Sequence, residues 1–131
     1  MRIIAGRFKG RRLRPVPGDH ARSTADRVKE SLFNILAPEL PGAAVLDLFC
    51  GAGTLGLEAL SRGAERVGFI DGSRRSLNQA IDNVDSLEAR AQGLAVALVA
   101  TKIDKLTRTE RLRAERAWQL AFDGPVLPVS A

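Results

Sequence analysis

Tyrosine is absent from the 131 residues, and cysteine, histidine, methionine and tryptophan occur once each. A lone cysteine, Cys50, excludes an intrachain disulfide framework and fits a reducing compartment. His20 stands in a Pro/Gly-rich stretch with no cysteine or carboxylate set at metal-ligand spacing, so no metal centre is expected. The longest apolar run, residues 94–100, is far too short to span a bilayer, and the charged start lacks the apolar stretch of a secretory signal. The expected setting is cytoplasmic, without a membrane partner. There is also no Gly-x-x-x-x-Gly-Lys-Ser/Thr loop, so nothing cradles the β and γ phosphates of a nucleotide and GTP or ATP hydrolysis is not expected.

What is present reads as one soluble globular domain: 45% of residues are hydrophobic and 27% charged. The net charge of +5 is unevenly placed. Residues 1–41 hold nine Lys/Arg against four Asp/Glu, whereas the remaining residues hold eleven of each. Arg2, Arg7, Lys9, Arg11, Arg12 and Arg14 all precede the first acid, Asp19. A cationic segment on a neutral domain points to a polyanionic partner, against the plainer reading of a solvated basic end.

Along the chain, Ile3, Ile4, Gly6, Gly10 and Leu13 suit a small β-hairpin or an extended arm, closed by Pro15, Pro17 and Gly18. Ser23 or Thr24 can cap a following helix with Asp26 in its first turn. Val28, Leu32, Ile35 and Leu36 recur at helical spacing and are expected to face the core, with Pro38 and Pro41 ending the helix. Val45-Leu46-Asp47-Leu48-Phe49 reads as a buried parallel strand, residues 54–62 as a helix, and 67–70 as the next strand, ending at Asp71. Ser73 can cap a further helix whose inner face is Leu77, Ala80, Ile81 and Val84. A strand at 94–100, a helix at 107–121 and a short strand at 126–129 follow. The alternation predicts an α/β domain of three layers with a parallel sheet.

Between the first strand and helix lies Gly51-x-Gly53-x-x-Gly56, whose glycines allow a sharp turn and close approach of a ligand. Asp71, ending the second strand, can accept hydrogen bonds from both hydroxyls of an adenosine ribose, and this serves NAD and S-adenosylmethionine alike. Asp47 discriminates. A carboxylate inside the first strand repels a pyrophosphate but suits a sulfonium and an ammonium group. S-adenosylmethionine is therefore the expected cofactor, with a dinucleotide site and a ligand-free glycine turn as the rival readings.

Met1-Arg-Ile-Ile-Ala-Gly-Arg-Phe-Lys-Gly-Arg-Arg-Leu13, Ser23-Thr-Ala-Asp-Arg-Val-Lys-Glu-Ser-Leu-Phe-Asn-Ile-Leu36 and the 47–53 loop together closely resemble the RsmD family. These are bacterial small-subunit rRNA methyltransferases acting on the exocyclic amine of a guanine, and the resemblance runs from residue 1 to about 84. It implies a partial Rossmann-like methyltransferase fold and S-adenosylmethionine as cofactor. Asp47, Phe49, Gly51 and Gly53 would surround the methionine part, Asp71 would hold the ribose, and Thr24 and Arg27 would lie near the cofactor's carboxylate. The basic arm would hold phosphates of small-subunit rRNA or of a ribosomal subunit precursor. The family's Asn/Asp-Pro-Pro-aromatic motif, whose side chain and carbonyl accept the amine's N–H groups while the ring stacks on a flipped base, has no match here. Asp123-Gly124-Pro125 is the nearest sequence, so no catalytic residue is assigned.

The tail, with Thr101-Lys102-Ile103-Asp104 and a Pro128-Val-Ser130-Ala131 end, resembles the guanine-recognition end of ribosome-biogenesis GTPases of the EngB kind. That resemblance makes Lys102, Asp104 and Ala131 candidate guanine-binding residues. The two resemblances meet near 84–88, which reads as a junction. It divides the chain into an arm or hairpin (1–20), a partial cofactor-binding core (21–86) and a GTPase-like segment (87–131). Three functions stay open: an rRNA guanine methyltransferase impaired by the missing motif, a non-catalytic cofactor- or RNA-binding remnant, and a guanine-nucleotide-binding fragment.

Overall fold

Strand β1 (Ala44–Leu48) leads through the glycine loop into helix α2 (Thr54–Ser61), strand β2 (Arg66–Asp71), helix α3 (Arg74–Ser86) and strand β3 (Ala95–Ala100) in a computed structural model of the chain. Helix α1 (Asp26–Leu36) precedes them. The structure describes residues 1–18, 25–100, 107–109, 112 and 116, with backbone alone at 97–100. The strands pair in parallel in the order β1-β2-β3, with Val45 opposite Val67 and Asp47 opposite Phe69. This is the expected α/β class, a partial Rossmann-like sheet. Arg108, Thr109, Leu112 and Arg116 are helical, while the rest of 107–121 and the strand expected at 126–129 lie outside the described residues.

A Cβ on Gly56 of α2 would meet Val67 and Phe69, and one on Gly53 would meet both Phe69 and Ala80 of α3. Helices α2 and α3 therefore cover the same face of the sheet, the one carrying Val45, Asp47, Val67 and Phe69. The other face of β1 is open: Leu46 is 44% and Leu48 59% exposed. Among the described residues β1 has one neighbour, β2, and it is half-exposed where its apolar run suggests a fully buried strand.

Among the described residues the hairpin adds a further layer, packed on α2 and α3. Ile3 N–H donates to Arg11 O at 3.0 Å, Gly10 N–H to Ile3 O at 2.9 Å and Leu13 N–H to Met1 O at 3.0 Å. Ile3, Phe8 and Leu13 point into the same core cluster as Leu57, Leu60 and Val84, so the basic segment is docked on the helices instead of projecting as an arm. Val84, Leu87 and Ala89 are fully buried in that cluster as well, and packing is continuous across residues 84–88.

Helix α1 corrects two expectations. Its N-cap is Ala25, with no side-chain capping bond, and Ser23 and Thr24 lie outside the described residues. Its apolar stripe faces solvent: Val28 is 57% and Ile35 77% exposed, with Leu32 and Leu36 little better covered. Lys29 and Phe33 are buried instead. Hydrophobic periodicity located a real face, but the contacts that α1 makes with α2 run through a polar group. The helix ends at Leu36, and Pro38 continues as a 3₁₀ turn over Ala37–Glu39.

Candidate functional site

The glycine loop emerges from β1 because Asp47 anchors the start of α2. Its Oδ2 accepts the Gly56 N–H at 2.9 Å, satisfying one of the amides that a helix N-terminus leaves free. Gly51 and Gly53 take φ of 55° and 85°, a region closed to most side chains, and a Cβ on Gly51 would meet only open space. Gly56 serves packing: a Cβ there would run into the Phe69 ring and come within 2.8 Å of Val67 Cγ1. Gly56→Ala is expected to cost roughly 1–3 kcal/mol through displacement of α2 from β2. An unchanged urea midpoint would contradict that contact.

Asp47 is 6% exposed, and among the described residues no cation pairs with it. Burial raises its pKa to about 6, the Gly56 N–H pulls it down, and the neighbouring Asp71 charge raises it further. Cys50, buried beside both carboxylates, has its thiol pushed up to about 12 by burial and by their charge, so it stays protonated and unreactive. Two carboxylates, Asp47 and Asp71, thus concentrate negative charge at the loop.

Asp71 turns out to organise the loop. Its Oδ2 accepts Gly51 N–H at 2.9 Å and its Oδ1 accepts Ser73 N–H at 2.8 Å, so the carboxylate ties the first glycine to the start of α3. Each oxygen keeps a further lone pair for a ligand hydroxyl. Phe49 sits at φ 59° and is 86% exposed, an aromatic ring held out of the core on a backbone conformation that costs energy. The structure brings Asp47, Phe49, Gly51, Gly53 and Asp71 into one loop. Arg27 lies on the exposed first turn of α1 without a partner among the described residues, and Thr24 falls outside them.

The basic residues divide into two sets. Arg2 Nε reaches Asp26 Oδ2 at 3.1 Å, Arg7 bonds Gln92 Oε1 at 3.4 Å and Arg11 bonds Ser86 O at 2.5 Å. Lys9, Arg12 and Arg14 carry exposed side chains with no partner among the described residues.

Sequence reasoning missed the residues that fasten this hairpin. Asn83, 2% exposed, donates to both Arg14 O and Ala52 O at 2.9 Å and accepts Arg14 N–H at 2.9 Å. One amide thereby joins the basic segment to the glycine loop. Glu58, fully buried, accepts the Ile4 and Ala5 amides and pairs with Lys29 and Arg62. The only sequence signal was an acid and an amide on otherwise apolar helix faces. Lys102, Asp104 and Ala131 lie outside the described residues, so the guanine-site expectation has no geometry to meet.

The sequence pattern of the family described as "Conserved hypothetical protein 95" matches residues 1–122, running through 84–88. Ribosomal RNA small subunit methyltransferase D of Escherichia coli K12 is 49% identical over 90 residues, 68% of this chain and 45% of its own. The protein of the same name from Haemophilus influenzae is 42% identical over 92 residues, covering 70% of this chain and 48% of its own. The solved structure of Escherichia coli yhhF, provisionally named a methyltransferase, superposes with a TM-score of 0.64 at 44% identity over 76% of this chain and 51% of that one. The chain spans about half the length of the curated relatives it matches.

Proposed function

The chain belongs to the family described as Conserved hypothetical protein 95 and is a homologue of the ribosomal RNA small subunit methyltransferases D, and on that premise we propose that it is the cofactor- and RNA-holding part of an rRNA guanine methyltransferase. The observation that carries the reading is Asp47: a buried carboxylate at the glycine loop with no cation beside it among the described residues. Pyrophosphate would add negative charge to that loop. A ligand bearing a sulfonium and an ammonium would neutralise it, and S-adenosylmethionine carries both.

In this reading Asp47 faces the cationic methionine part, Gly51 and Gly53 admit it for want of side chains, and Phe49 covers the opening. Asp71 accepts from the ribose hydroxyls with the lone pairs that Gly51 and Ser73 leave free. Bound there, S-adenosylmethionine supplies an electrophilic methyl group. The basic hairpin, fastened to the same loop by Asn83, holds rRNA phosphates near it. Transfer to the exocyclic amine of guanine further needs acceptors for the amine's N–H groups and a ring to stack on the base. The sequence holds no Pro-Pro-aromatic motif to provide them, so we assign the chain binding of both substrates and no catalytic residue.

Calorimetric titration with S-adenosylmethionine tests the site. One saturable event is expected, weakened at least about tenfold by Asp71→Ala, which removes the acceptor for two loop amides as well as for the ribose. Absence of heat from a chain folded by circular dichroism would sink the cofactor claim. The guanine-nucleotide reading of the tail rests on Lys102, Asp104 and Ala131 as sequence alone, and titration with GTP tests it separately.

A further inference from the structure

Arg2 and Arg12 stand directly opposite one another across the antiparallel hairpin. Like charges at such a position repel, and a fold without use for them has every reason to replace one. Asp26, on the first turn of α1, offsets Arg2 alone, through a single bond at 3.1 Å. Arg12 has no partner among the described residues. Both arginines line a cleft of about 580 Å³ between the hairpin and the start of α1, with Met1, Leu13, Gly10, Ala25 and Asp26 as the other walls.

We propose that this cleft seats a phosphate of an RNA backbone, with Arg12 as its direct ligand and Arg2, held by Asp26, as the fixed opposite wall. The inference rests on the reading above that the chain serves an rRNA substrate, and it selects where on the hairpin the strand is gripped. The volume suits a nucleotide unit better than a single small ion. Met1, only partly buried, gives the cleft an apolar side against which a sugar can lie, and Gly10 keeps the rim free of a side chain. Lys9 and Arg14, exposed and unpartnered among the described residues, continue the positive charge along the same hairpin. A repeating polyanion engages such a row, whereas a lone phosphate does not. Arg7 and Arg11, spent on Gln92 and Ser86, contribute field more than contact.

Fluorescence anisotropy with a short labelled RNA, across a series of salt concentrations, tests the cleft. Arg12→Gln is expected to weaken binding roughly five- to tenfold and to lower the log–log salt slope by about 0.7–0.9, the contribution of one phosphate contact. Its melting temperature is expected to stay level or rise, because a cross-strand repulsion is relieved. A purely structural arginine would do the opposite. Arg12→Lys should retain most of the slope. Arg90→Gln, an equal change of charge at an exposed residue paired with Asp85, should fall well short of the Arg12→Gln effect.

RNA affinity unchanged in Arg12→Gln, or lost together with thermal stability, would overturn the proposal. Displacement of the RNA by inorganic phosphate beyond the effect of chloride at equal ionic strength would make the cleft a free-ion site and overturn it too. The S-adenosylmethionine titration keeps the two claims apart. RNA held through Arg12 without a cofactor isotherm preserves the cleft and removes the methyltransferase reading. A cofactor isotherm with RNA affinity indifferent to Arg12 does the reverse.

Discussion

Asp47→Asn should make the protein more stable and unable to hold the proposed cofactor. The amide still offers an oxygen to Gly56 N–H, so the start of α2 stays anchored. What disappears is a charge kept in a buried site. An aspartate whose pKa rises from 3.8 to about 6 on folding contributes its full share of stability only in the protonated form, below the unfolded pKa. That share is lost as pH rises through about 6, amounting to about 3 kcal/mol at neutral pH. Urea unfolding of wild type and variant should therefore diverge between pH 4 and pH 7, with the asparagine protein the more stable at the upper end. Parallel pH profiles would refute the burial argument.

Cofactor binding should move the opposite way. Loss of the carboxylate is expected to weaken S-adenosylmethionine by roughly a hundredfold, the scale of a buried charge-assisted contact. In the wild type the affinity should fall about tenfold per pH unit below about 6, because a protonated Asp47 must give up its proton to receive a cation. Calorimetry near pH 6 in buffers of different ionisation enthalpy would register that proton. A site gaining stability by losing its function is a familiar trade at binding centres.

Glu58→Ala should be the most damaging single change in the described fold, at about 3–5 kcal/mol. The side chain receives the Ile4 and Ala5 amides and faces Lys29 Nζ at 3.4 Å and Arg62 Nε at 3.0 Å. Truncation leaves two backbone donors unsatisfied and a lysine that is 1% exposed without its counter-charge. Combining Glu58→Gln with Lys29→Met should recover much of the loss, since the amide oxygen still accepts from the hairpin and no buried cation remains. Equilibrium unfolding of the three proteins decides it. A double variant as unstable as Glu58→Ala would locate the loss elsewhere than in the unpaired lysine.

The sheet, α2, α3 and the glycine loop were legible because each follows a local rule: short apolar runs, helical spacing, glycine where the chain must turn. Asp47 and Asp71 stood out as charges in places that strands rarely tolerate. The face of α1 was legible as a pattern and misread as a location. Val28, Leu32, Ile35 and Leu36 lie on one side of the helix as their spacing says, yet the described core meets the other side through Lys29 and Phe33. Spacing reports that residues share a face and is silent on what covers it. Glu58, Ser61 and Asn83 escaped notice for a related reason. Their role is to receive and offer hydrogen bonds to a segment more than fifty residues away in sequence, and no local window contains both partners. The sequence presents the basic residues as one group, and only three-dimensional pairing separates Lys9, Arg12 and Arg14 from those already occupied.

The fastening of the hairpin has a consequence for the order of events during synthesis. Residues 1–14 leave the ribosome well before the groups that fix them: Glu58, Ser61 and Asn83 come 53 to 69 positions later than their hairpin partners. Until α3 has emerged, this cationic stretch lacks part of what it closes upon, so it is made early and fastened late. For a protein proposed to act on ribosomal RNA, this means that its grip on that polymer exists as an unfolded basic segment before it exists as a shaped cleft.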